Sequence, residues 1–475
     1  MYVYGITIGP IVKSLIYASH RGENKTRSLW KASYFFSFTM KKLIQSLNQH
    51  VNMWYLPDPF EALDGQNEQF EMFGLYPDRA IFRSSANLED IKNVIQNTIN
   101  LVEAETDIGA NYLKVDIVVI PCSDSPGKDQ IKIQKLLDHQ ELAERPQGSF
   151  VNHAIDRLIN SHWMRHKLSE IPTTKEIAQK VKDFERKHTH YMAFVQSDGD
   201  KVGRLLSTLN TDQELRNFST AMLEYAKKAG QAVSEYGGFC FYTGGDDLLA
   251  AVPIYNGEKT VFELIEQLNA TLKEVIRNQF RDKKYEELVN EVSLSAGIAM
   301  AHYKHQMAEL LEHSANLLFN SAKNDPKDAI AIRLEKHSGT HTSLRLTRKH
   351  ASFFYDTIKL FNDTIRMEEQ VVQDHLFSVR TKLFTHRALL MEVLKLEEIE
   401  EQKKMLDHYF QQQFNEKIHQ SYLPFFEDIK KLIINAAEQE QDPQKALDLV
   451  ISVLYVAKFF TEKRDEQDER MERIA

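Results

Sequence analysis

Between residues 1 and about 150 the apolar positions switch repeatedly between two periods. YVYGITIG near the start, VNMWYLP at 51–57, RAIFRS at 79–84 and LKVDIVVIP at 113–121 are strand-length runs dense in β-branched and aromatic residues. Between them PIVKSLIYASH, SLWKASYFFSFTMKKLIQSLNQH and NLEDIKNVIQNTINLVEAE carry apolar residues at helical spacing, the first opened by Pro10. The pattern predicts an α+β unit over 1–150. DGQNEQFEMFG at 64–74 breaks it and reads as a loop. Residues 151–187 are polar and helical and read as a connector.

A second α+β unit is predicted over 188–345. Its order is a strand at 191–197, a helix from about 201, a helix over 211–236, a hairpin in FYTGGDDLLAAVP, a helix over 258–281, the strand EVSLSAGIAM, the helix QMAELLEHSANLLFNSAK and the strand DAIAIRL. In the last helix Met307, Leu310, Leu311, Leu317 and Leu318 recur at the spacing of one buried face. From about residue 346 the strand signals cease, and 346–475 reads as an all-helical domain. The expected fold class is therefore α+β, with two sheet-containing domains, a helical connector and a helical C-terminal domain.

Composition narrows the class without naming the chemistry. With 475 residues, 42% of them hydrophobic and 27% charged, the chain is long enough for several globular cores. No apolar run reaches membrane-spanning length and the N-terminus lacks a signal-peptide pattern, so a cytoplasmic protein without a membrane partner is expected. Cys122 and Cys240 are the only cysteines, too few for a disulfide framework or a four-cysteine zinc site. A net charge of −9 argues against a protein that coats nucleic acid alone.

Two acidic elements stand out against this background. Gly244, Gly245, Asp246 and Asp247 fall at a hairpin tip, and the strand 191–197 runs into SDGD, with Asp198, Gly199 and Asp200 in the expected turn. In a strand–helix–hairpin unit the first strand and the hairpin lie side by side, which brings Asp198 near Asp246 and Asp247. Carboxylates so close repel one another unless cations neutralise them. Two divalent ions, Mg²⁺ or Mn²⁺, are the expected remedy, and they suit phosphoryl chemistry.

The order strand, acidic turn, helices, GG-acidic hairpin, helix, SLSAGIA strand and helix ending in SAK resembles the catalytic palm of GGDEF-type nucleotide cyclases. Carried over residue by residue, the resemblance assigns metal ligands to Asp198, the Gly199 carbonyl and Asp246, and a triphosphate contact to Lys323. Asp247 stands where diguanylate cyclases have Glu. GGDD together with SDGDKVG is similar to the large polymerase-cyclase subunit of type III CRISPR effector complexes. TIGPIVKSLIYASHRGENKTRSLWKASYFFSFTMKKL resembles the first palm of its Cmr-type branch. Larger members begin with an HD nuclease domain, and this chain contains no His-Asp dipeptide, so DNase activity is not expected. Many members carry a cysteine-bound zinc; two cysteines cannot build it, and no zinc is expected.

The resemblance implies two ferredoxin-like palm domains, the first non-catalytic, and an adenylyl transferase switched on by target RNA. Asp198, Asp246 and Asp247 would be catalytic, with Gly199 among the metal ligands and Gly244, Gly245, Lys323 and Asp200 at the nucleotide. ATP is the expected substrate. The product is a cyclic oligoadenylate, or AMP joined to S-adenosylmethionine. Other type III CRISPR subunits, guide RNA and target RNA are the expected partners, with the helical domain docking on neighbouring subunits and 64–74 forming an acceptor-side wall. His20, Arg21, Lys25 and Arg27 suit triphosphate or RNA contact as well as a solvated loop. The alternatives are a stand-alone GGDEF-like cyclase and a catalytically idle CRISPR scaffold.

Overall fold

The structure is a computed structural model of the full chain, and it describes residues 1–54, 72–108, 112–142, 148–182, 185–336, 339–366, 370–414 and 423–463. Apolar side chains on alternate positions of Tyr2–Gly9 (β1), Arg79–Ser84 (β2) and Lys114–Pro121 (β3) build an antiparallel sheet in the order β2-β1-β3. Helices Ile11–Ser19 (α1), Lys25–His50 (α2) and Leu88–Thr106 (α3) follow the predicted spacing. Asn24 and Asn87 cap α2 and α3 by accepting from the backbone N–H three residues on. Pro126–Leu142 (α4), which the apolar pattern leaves unassigned, packs on β1 and β3.

The expected strand at 51–57 is reduced, among the described residues, to one bridge. Trp54 exchanges both backbone hydrogen bonds with Arg83 of β2, at 3.1 and 3.3 Å. That bridge puts residue 54 on the free side of β2, so the first unit has the ferredoxin-like arrangement of strands. The rest of that segment and most of 64–74 lie outside the described residues.

Gly148–Asn160 (α5) and Thr174–Ala178 (α6) make the connector, and the second unit follows. Its strands are Tyr191–Asp200 (β4), Phe239–Gly244 (β5), Asp247–Pro253 (β6), Ser293–His302 (β7), Ala329–Glu335 (β8) and His341–Thr347 (β9). They form one sheet in the order β5-β6-β4-β7-β8-β9, antiparallel except for β7 with β8. The first four repeat the ferredoxin-like order. Two expectations change here. β4 does not end at residue 197 but pairs with β7 through Asp200, so SDGD is strand and not turn. The strands also continue past DAIAIRL: β9 is an edge strand reaching Thr347, with only Leu344, Leu346 and Thr347 buried, too few for a clear alternation in HTSLRLT.

Helices Val202–Ser207 (α7), Asp212–Tyr236 (α8), Val261–Gln279 (α9), Glu286–Glu291 (α10) and Met307–Leu317 (α11) pack around this sheet. Thr211 and Thr260 start α8 and α9 with reciprocal capping boxes to Glu214 and Glu263. α11 passes into a π-helical turn over Leu318–Ala322, which delivers Lys323. The two units meet at the outer edge of β5. Thr243 N–H donates to Gly74 O at 3.0 Å, Ser33 Oγ–H to Phe241 O at 3.1 Å, and the Phe73 ring lies on Gly230 of α8.

From Ala351 the described chain is helical: Ala351–Arg366 (α12), Gln370–Thr385 (α13), Arg387–Leu394 (α14), Ile399–Gln413 (α15), Leu423–Glu440 (α16) and Pro443–Thr461 (α17). α17 is the axis of this bundle and returns to the second unit. His188 Nδ1 donates to Phe460 O at 3.0 Å, and the Tyr191 and Phe459 rings meet with centroids 4.7 Å apart. No described helix is long and apolar enough to cross a membrane.

Candidate active site

The hairpin turns on two residues, Gly245 and Asp246, with Gly244 paired to Asp247. Gly245 has φ +69°, the positive angle that a tight turn needs at its first central position and that a side chain would strain. β6 is paired with β4 so that Leu248 faces Ser197; the next step in register sets Asp247 across from Asp198. Gly199 then lies under Asp246, so close that a Cβ on residue 199 would stand 2.5 Å from Asp246 Oδ2 and 2.6 Å from Val202 Cγ2. A glycine is what lets the tip come down onto β4.

The structure thus brings together Asp198, Gly199, Asp246 and Asp247, as the sequence predicts. Their electrostatics fit a cation site. Burial, with Asp198 next, pushes the Asp246 carboxyl up to about 7. Asp247, whose side chain opens on the cleft, is raised by desolvation and then by Asp246 and Asp198. Asp198 is raised by burial, with Lys323 pulling the other way. Clustered carboxylates whose charged forms are this disfavoured are neutralised by protons or by metal.

Lys323 and Asp200 take places that the sequence does not suggest. Lys323 Nζ donates to Gly199 O at 2.6 Å and pairs with Asp198 Oδ2 at 2.7 Å and Asp200 Oδ1 at 3.1 Å. Asp200 is 1% exposed; its Oδ2 accepts from Ser295 Oγ at 2.6 Å, Asp328 N at 3.0 Å and Ser293 Oγ at 3.2 Å. Neither lines the cleft. Asp200 is a buried anchor for Lys323, and Lys323 holds Asp198 and the Gly199 carbonyl directly, so both act on the site through those two residues.

In front of the carboxylates is a cavity of about 610 Å³, walled by both units. Asp198, Gly199 and Gly244 to Asp247 line one side. The first unit faces them with Leu75, Tyr76, Arg79, Ile81, Gln130 and Gln134, and α8 adds Phe218 and Met222. Lys201, Arg204 and Lys327 supply positive charge at the same cavity. Lys201 and Arg204 are held by Glu291, and Arg79 by Glu141 at 2.7 Å and Asp138 at 2.8 Å. Sequence reasoning misses this wall because Arg79, Gln130 and Gln134 come from a different sheet and α4. Lys201 and Arg204 follow SDGD directly and were within reach of it. Tyr225, fully buried on α8, has no hydrogen-bond partner for its hydroxyl among the described residues, and its pKa is raised by burial and by Asp246.

The basic loop is elsewhere. His20, Arg21, Lys25 and Arg27 do not line the cavity; Arg21 lies over the Tyr17 ring and 3.7 Å from Asp156.

Residues 191–331, which hold β4, the hairpin and Lys323, match the family model described as Cas10/Cmr2, second palm domain. Over those residues the chain is similar to that palm domain. It is similar to the CRISPR system Cmr subunit Cmr2 of Pyrococcus furiosus, 29% identical over 179 residues, which are 32% of this chain and 19% of that relative. The chain thus matches well under two thirds of the relative's length. Among solved structures, the chain aligns with a crystal structure of a Csm1–Csm4 cassette in complex with cA4 at TM-score 0.52 and 11% identity, covering 97% of this chain and 70% of that one. It also aligns with an apo type III-B Cmr-beta cryo-EM structure at TM-score 0.51 and 11% identity, covering 86% and 77%.

Proposed function

We propose that the chain is a metal-dependent nucleotidyltransferase that acts on ATP inside a type III CRISPR complex and makes an adenylate messenger. The observation that carries this reading is the set of three carboxylates, Asp198 on β4 and Asp246 and Asp247 at the tip of the adjacent hairpin, on one wall of a cavity large enough for nucleotides. An all-oxygen donor set of carboxylates and the Gly199 carbonyl fits Mg²⁺ or Mn²⁺. Bound there, such ions favour deprotonation of an attacking ribose hydroxyl and neutralise charge on the phosphates.

The chain's own residues do the positioning. Gly244 and Gly245 give a phosphate access to the tip backbone, and Lys201, Arg204 and Lys327 provide positive charge for the polyphosphate. Phe218, Met222 and Leu75 offer an apolar surface for a base. The reaction forms a phosphodiester from a 3′-hydroxyl and the α-phosphate and releases pyrophosphate. An ATP acceptor permits chains and rings, whereas S-adenosylmethionine, having no triphosphate, stops at one AMP.

That a fold relative is in complex with cA4 supports the oligoadenylate branch. The decisive experiment is Asp246→Asn with Asp247→Asn in an assembled guide-RNA complex given target RNA, ATP and Mg²⁺ or Mn²⁺. Pyrophosphate release should vanish while assembly persists; undiminished turnover would overturn the reading. Mass analysis of products with and without S-adenosylmethionine separates the two messengers.

A further inference from the structure

The opposite end of the second sheet carries a second cluster of ligating side chains, with no cysteine in it. β8 runs from Ala329, beside the acidic end of β4, to Glu335, a distance of about 20 Å at the usual rise per residue. At Glu335 it meets the start of α11. Glu309 and His313 are one turn apart on that helix, and His305 sits in the turn leading into it, so the spacing of four residues stacks all three toward β8.

The ligating atoms of His305, Glu309 and Glu335 all lie within 4.8 Å of one another. His305 Nε2 is 3.0 Å from Glu309 Oε2 and 3.9 Å from Glu335 Oε1, while His313 Nδ1 is 3.6 Å from Glu335 Oε2. Both ring nitrogens are buried atoms that face carboxylates, His305 Nε2 that of Glu309 and His313 Nδ1 that of Glu335. Arg333 stands 3.2 Å from Glu335 and fixes that carboxylate.

We propose that His305, Glu309 and Glu335, with His313 flanking Glu335, form a site for a divalent transition metal, with Zn²⁺ the matching ion. One imidazole and two carboxylates are a donor set that zinc accepts, and imidazole nitrogen excludes Mg²⁺ as the natural occupant. The ligands come from two elements, so a bound ion would act as a clamp. It ties α11, which leads through the π-helical turn to Lys323, to the strand end beside the helical bundle. The absence of cysteine zinc chemistry does not bear on it.

The test uses the full chain carrying Asp246→Asn and Asp247→Asn, so that the carboxylate site does not compete. After chelator dialysis, titration with Zn²⁺ should show about one equivalent bound with Kd of about 1 μM or tighter. The added pair His305→Gln and His313→Gln should abolish that binding. Equal binding with and without the histidines, or none in either, overturns the proposal. Should the histidine variant fail to fold, Co²⁺ added to the folded parent gives the answer: four-coordinate ligand-field bands support the site, and a weak six-coordinate spectrum overturns it.

Discussion

Asp200→Ala separates the buried anchor from a nucleotide contact. In the parent, Asp200 is fully enclosed, paired with Lys323 and bonded to two serine hydroxyls and the Asp328 N–H. Removing one member of a buried ion pair leaves the other charge uncompensated and typically costs about 3–5 kcal/mol. Lys323 keeps Asp198 and the Gly199 carbonyl, which places the expected loss at the low end, about 3 kcal/mol. For a cooperative unit of about 150–250 residues each kcal/mol moves the midpoint by roughly 2–4 °C, so the melting transition should fall by about 10 °C. Asp198→Ala is the control. Its side chain is 25% exposed, it leaves the Lys323–Asp200 pair in place, and it relieves repulsion with Asp246, so the fall should be less than half as large. Differential scanning calorimetry on both variants, without metal or nucleotide, measures this. An Asp200→Ala melt within about 1 °C of the parent would refute the anchor, since any loss above roughly 0.5 kcal/mol would show.

His188 gives a pH signature. It is 3% exposed, and burial, with Arg186 next, pulls its pKa down to about 3. The unfolded chain therefore takes up a proton below its ordinary value of 6.5 that the folded chain refuses, so this contribution is complete above that pH and is lost as pH falls toward 3. Between pH 7 and pH 5 the loss should be about 2 kcal/mol, and chemical denaturation of His188→Gln should show a correspondingly flatter profile. Gly199→Ala should force the hairpin tip away from β4 and weaken Mn²⁺ binding by about tenfold or more in calorimetric titration, a loss of about 1.4 kcal/mol. Gly230→Val should drive its side chain into the Phe73 ring and raise protease susceptibility at the junction of the two units, read by limited proteolysis.

Much of the catalytic half was legible because its signals are local. A positive-φ glycine beside two aspartates between two apolar runs defines a hairpin, and SDGD at a strand end supplies the partner carboxylate. What sequence could not give was direction and company. Asp198 and Asp200 are two residues apart on one strand, yet Asp198 lines the cleft and Asp200 is enclosed by Ser293 and Ser295 on β7. Lys323, at the end of a π-helical turn, pairs with both of these aspartates. The opposing wall of the cavity is assembled from Arg79 and Gln134, which no linear pattern connects to residue 246. β9 has too few buried positions to show an alternation, and the His305 cluster has no linear signature because Glu335 comes from a separate strand.

Phe73 and Gly74 work as a tongue set into a groove. The aromatic ring occupies the notch left by Gly230, and the next carbonyl is hooked by the Thr243 N–H, three residues from Asp246. β5 would otherwise be a free margin of the larger sheet, open to pairing with any passing strand. The tongue hems that margin and makes the acidic tip a shared seam: its outer thread belongs to the first unit, its inner thread to β4. A body docking on the first unit thus pulls on the seam itself, at a lever arm of three residues, without touching a carboxylate.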